Sequence, residues 1–112
     1  MVADQEYIEY LLDLLEPIGG VESGRFFGGT SLTCDSAQFA MVMGTTLYFV
    51  VDDTTRPDYE EAGMSPFSYS TKKREVLVKR YYEVPVEILE DREALIDWAT
   101  ESIEIARKKK KK

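Results

Sequence analysis

The side chains able to do chemistry are few and scattered in this sequence, which holds one cysteine, Cys34, and no histidine. A thiol becomes a nucleophile when a base or a cation holds it as thiolate, and the neighbour in sequence is Asp35, which opposes that. Cys34 therefore reads as a small residue closing a strand. Asp52, Asp53 and Asp58 could offer oxygens to a hard cation. They lack calcium-loop spacing, however, and sit where the start of a helix favours acids. Gly28-Gly29 in "GRFFGGTSL" would cradle a phosphate only with a strand before it and a helix after it, whereas Thr30 to Cys34 reads as strand. A glycine pair within a strand marks a bulge or the close approach of another backbone; a glycine hairpin is the alternative. Tyr81, Tyr82 and Glu83 could form a ligand-facing patch, yet strand alternation puts one tyrosine in the core and the other at the surface. No catalytic residue, metal ligand or cofactor site follows, and the expectation is a protein that is not an enzyme and carries no cofactor.

Charge narrows the partners. The formal charge of −7 includes six cations at Arg107 to Lys112; without them eight basic face twenty-one acidic side chains, a net of −13 over residues 1–106. Such a body repels phosphate backbones, so no specific nucleic-acid binding is expected from it, and Arg107 to Lys112 would be a disordered tail with weak, non-specific affinity for polyanions. With 44% hydrophobic residues the 112-residue chain suits one domain, residues 1–106. One cysteine forms no internal disulfide, and no apolar run reaches the eighteen or so residues of a membrane span. The acidic N-terminus is unlike a secretion signal, making the cytoplasm the expected location.

The elements follow from periodicity. Ile8, Leu11, Leu12, Leu15 and Ile18 recur at helical spacing and predict a helix over 4–18, closed by Pro17 and Gly19-Gly20. Residues 22–52 then break into short strand-like runs, with corners at Cys34-Asp35-Ser36 and Gly44-Thr45. A short helix over 55–62 ends at Gly63, strands follow at 66–70 and 75–83, Pro85 stops the second of these, and a last helix begins near Asp91. The order α-β-β-β-α-β-β-α, with short connections, predicts an α+β fold: a mostly antiparallel five-stranded sheet with three helices.

Read together, "RFFGG", "QFAMVMGTTLYFVVDD", "PDYEEAGMSPFSYS" and "YYEVPVEILEDREALIDWA" resemble the N-terminal domain of the TfoX/Sxy competence regulators, over residues 7–106. The resemblance implies a two-layer α+β domain of secretion-chaperone-like architecture, here a stand-alone TfoX-like domain, with no catalytic residues. It makes Phe27, Gly28, Gly29, Gly63 and Pro85 structural motif positions. It also implies a part in transcriptional regulation, since in full-length relatives this domain is joined to a helical one and promotes transcription of DNA-uptake genes.

"FAMVM" and "LYFVV" are apolar at nearly every position, as in a strand covered on both faces. A partner is expected over the second face, a second copy of the chain being the simplest, with Phe39, Met41, Met43, Tyr48, Val50, Tyr81 and Tyr82 as the candidate interaction surface. The competing expectation has the helix at 55–62 folding over that face. Two functions compete likewise: an interaction module in transcriptional regulation, and an acidic chaperone-like binder of other polypeptides.

Overall fold

The computed structural model describes residues 5–26 and 28–110. Among these, the order is α1 (Gln5–Leu14), a 3₁₀ turn (Glu16–Ile18), β1 (Val21–Phe26), β2 (Gly29–Cys34), β3 (Ala37–Met43), β4 (Thr46–Val50), α2 (Arg56–Glu61), β5 (Pro66–Ser70), β6 (Glu75–Glu83), α3 (Val86–Leu89) and α4 (Arg92–Lys110). The fold is α+β, and the described strands form one sheet in the order β1-β2-β3-β4-β6-β5, every pair antiparallel.

The sheet has six strands among the described residues, not five. The extra one comes from the segment around the paired glycines. Phe26 pairs with Gly29, so β1 and β2 are two arms of a hairpin rather than one bulged strand. Gly28, at φ +81, occupies the reversal. β1 lacks apolar alternation because it is an edge strand exposed along most of its length, which is why its sequence gives no strand signal. The other corners are equally tight. Asp35 and Ser36, both at positive φ, link β2 to β3, and Gly44 at φ +66 opens the turn to β4.

The main core lies between one sheet face and the helices. Ile8, Leu11 and Leu15 meet Leu32, Phe39, Val42, Leu47 and Phe49 from the sheet, and Leu95, Ala99 and Ile103 from α4. Arg92 donates to the carbonyls of Asp13 and Leu14, capping the end of α1 with the first residue of α4. Asp91 in turn accepts from the Ala94 N–H at 3.3 Å and caps α4. α2 closes in a Schellman arrangement, with Gly63 N–H on the Glu60 carbonyl, Met64 N–H on the Tyr59 carbonyl and Gly63 at φ +83. Pro85 leads into α3, an element its sequence does not announce, and the Ile88 N–H returns to its carbonyl.

Apolarity on both faces of β3 has a local cause. Leu32 pairs with Ala40 but Thr33 with Gln38, so the register shifts and Phe39 is extra. This bulge re-phases the strand: Ala37, Phe39, Ala40 and Val42 all reach the main core, while Met41 joins a second cluster.

A candidate interaction groove on the far sheet face

The second cluster is built from Met41, Val50, Tyr81 and Ile105, with Phe26, Met43, Tyr48, Phe67 and Val78 packed against it. Above it opens a groove of about 480 Å³ lined by Phe26, Met41, Met43, Phe67, Tyr69, Val78 and Tyr81. Its walls come from opposite ends of the sheet. Laid flat, six strands would separate β1 from β5 by roughly 24 Å, so Phe26 and Phe67 share one groove because the sheet curls strongly. Small residues leave the hollow free. A Cβ on Gly29 would lie 2.4 Å from Met43 Sδ and 2.5 Å from the Val42 carbonyl oxygen, so the bare glycine makes room for a methionine of the groove.

The seven residues expected to form an interaction surface divide by this geometry. Phe39 and Tyr82 belong to the main core, and no partner can reach Phe39. Tyr82 stacks obliquely near Tyr59 and donates its hydroxyl to Glu60 Oε2 at 3.0 Å; burial, followed by this carboxylate, pushes its pKa up. Met41 and Val50 are each 1% exposed, and Tyr81 is nearly as buried, so these three form a floor that the chain itself covers. Gln38 Nε2 donates to the Tyr81 hydroxyl at 3.1 Å. Met43 and Tyr48 remain half-buried and open to contact, Tyr48 standing edge-on to Phe67. Sequence reasoning missed Phe67 and Tyr69, the latter 49% exposed at the rim. Alternation along "PFSYS" put both on one face and could have found them.

The helix at 55–62 is not the cover for this face. Tyr59 of α2 is in the main core, 4.6 Å from the Trp98 ring centroid, on the helix side. The double-sided apolarity that motivated a second copy is instead met largely within the chain, by sheet curvature and Ile105.

The remaining candidates stand apart from the groove. Cys34 is 2% exposed; its thiol donates to the Gly19 carbonyl at 3.7 Å and accepts from Arg107 at 3.6 Å. Arg107 also bridges to Asp35 across the β2–β3 turn. A cation beside this thiol was not legible in the sequence, because seventy-odd residues separate the two. Of the basic run expected as a tail, Arg107 to Lys110 continue α4, and Lys111 and Lys112 lie outside the described residues. Asp52 is spent on a turn, accepting from the Thr54 N–H and hydroxyl and the Thr55 N–H. The Thr54 hydroxyl contact leads in holding its carboxyl below the ordinary range. Asp53 pairs with Arg56 at 2.6 Å, Asp58 stays exposed, and among the described residues no three such ligands gather to hold a metal. Of the structural motif positions, Gly28, Gly29, Gly63 and Pro85 occupy the turn, close approach, helix stop and helix lead described above, and Phe27 lies outside the described residues.

No helix among the described residues is long and apolar enough to cross a membrane. No curated protein matches this sequence. A family model does, the TfoX N-terminal domain, over residues 13–106. That span runs from the end of α1 through the buried part of α4 and includes every strand of the curled sheet, so the chain belongs to the TfoX N-terminal domain family.

Proposed function

We propose that this chain is a non-catalytic protein-interaction domain that engages its partner through the groove on the far sheet face. The observation that carries the reading is the groove itself: an apolar hollow of about 480 Å³ with an aromatic rim residue, Tyr69, half exposed to water. Apolar pockets with exposed aromatic anchors concentrate binding energy in few residues. Transcriptional regulation is the setting that kinship with TfoX/Sxy proteins implies. The non-catalytic part of the reading is supported by the burial of Cys34 and by the separate structural employment of Asp52 and Asp53. The chaperone-like alternative would use the acidic helices. The groove favours the first reading because it is a formed, localised site.

The test compares the chain with Tyr69→Ser, an exposed change that leaves the floor intact. A partner retained by the parent from native lysate and lost by the equally stable variant is the expected result. Equal retention by both would place the contact elsewhere and refute the reading.

A further inference from the structure

We infer that the groove takes a segment of another protein in which apolar residues alternate with or adjoin aspartate and glutamate, the apolar side chains entering the hollow and the carboxylates meeting the basic residues beside it. This rests on the interaction reading above and specifies its occupant.

Charge complementarity carries the inference. The chain is acidic, with its acids concentrated on the helices, but the β5–β6 hairpin that supplies Phe67, Tyr69 and Val78 to the groove carries a net positive charge. Residues 66–83 hold five basic side chains, Lys72, Lys73, Arg74, Lys79 and Arg80, against two acidic ones, Glu75 and Glu83. The rest of residues 1–106 holds three basic against nineteen acidic. Two of those three are occupied, Arg56 by Asp53 and Arg92 by the end of α1; the third, Arg25, lies on β1 next to the groove residue Phe26. A second hollow continues from the groove, sharing Phe26, Val78 and Tyr81 with it, and is edged by Arg80 and Lys109. Arg80 lies over the Tyr81 ring at 5.6 Å. Neither Arg80 nor Lys109 has an ion-pair partner among the described residues, and no acidic side chain lines either hollow. An apolar floor running into two uncommitted cations fits a ligand that is apolar at one part and anionic at another.

Other occupants fit less well. A two-fold pair of chains would present this same face to itself, and a face edged by Arg80 and Lys109 with no acidic lining residue offers those cations no complementary charge. A nucleic acid would bring dense phosphate up to a strongly acidic body, which repels it.

The test selects random phage-borne peptides of about twelve residues on the intact chain, then measures the recovered peptides by fluorescence anisotropy. Expected are peptides combining apolar residues with an excess of Asp and Glu. Their affinity should fall about tenfold or more for Arg80→Glu with Lys109→Glu, and similarly for the uncharged change Tyr69→Ser. Groove-dependent peptides without acidic enrichment would overturn the acidic occupant while leaving the interaction reading standing. Peptides indifferent to Tyr69→Ser would overturn both. Saturable binding of laurate with no peptide selected, of single-stranded oligothymidylate at physiological salt, or sedimentation as a dimer that Tyr69→Ser dissociates, would each overturn the peptide in favour of that occupant.

Discussion

Gly28 and Gly29 adjoin in sequence but answer to different constraints. Gly28 needs its positive φ, so Gly28→Ala should cost about 1 kcal/mol in denaturant unfolding. Gly29 needs space, and because one obstacle is the Val42 backbone oxygen, Gly29→Ala should cost more, about 2 kcal/mol, and disturb Met43. Equal costs would mean that conformation governs both. At Glu101, burial first and then Asp58, Asp97 and Glu104 hold the carboxyl above the ordinary 4.5 of a glutamate. A carboxyl whose folded value is raised binds its proton more readily in the folded chain, so this group's penalty is present above the raised value. It is relieved as pH falls through that value to the ordinary one. Glu101→Gln should thus stabilise the chain at neutral pH, by no more than about 0.5 kcal/mol once solvent screening is allowed for, and match the parent at pH 3. Thermal melts across that range are the check, and a variant less stable at pH 7 would contradict the sign.

Elements with one buried face and clear punctuation were legible in the sequence. β5 and β6 fall on the expected residues, α2 and the start of α4 within one, because alternation, Pro85, Gly63 and Asp91 all mark them. The failures have physical reasons. β1 is an exposed edge with no apolar rhythm, and α3 is one short turn between a proline and the cap of α4. Arg107 to Lys110 read as a loose charge run because the helix they extend gains its partners, Asp35 and Cys34, only through the fold. The bulge at Phe39 had the largest effect: without it, the apolar run of β3 implied a naked second face. Floor and rim of the groove should consequently behave differently on mutation. Met41→Ala, removing a buried side chain, should cost about 2 to 4 kcal/mol, whereas Tyr69→Ser should leave stability within about 0.5 kcal/mol. Urea denaturation of the two variants decides this, and a rim change as costly as the floor change would make Tyr69 a structural residue.

The whole molecule is polarised: an acidic helix layer backs a curled sheet whose apolar hollow runs into Arg80 and Lys109. Composition revealed the net charge but not this separation, since strands distant in sequence line the hollow and α4 supplies Lys109 from the far end of the chain. The same layout gives two exposed tyrosines on opposite sides, Tyr69 at the groove rim and Tyr10 on α1. The most direct measurement replaces each in turn with a photo-crosslinking phenylalanine in the intact chain within its native cells. Adducts to another polypeptide are expected from position 69 and not from position 10. Adducts from position 10 alone, or from neither, would contradict the groove as the surface through which this protein works.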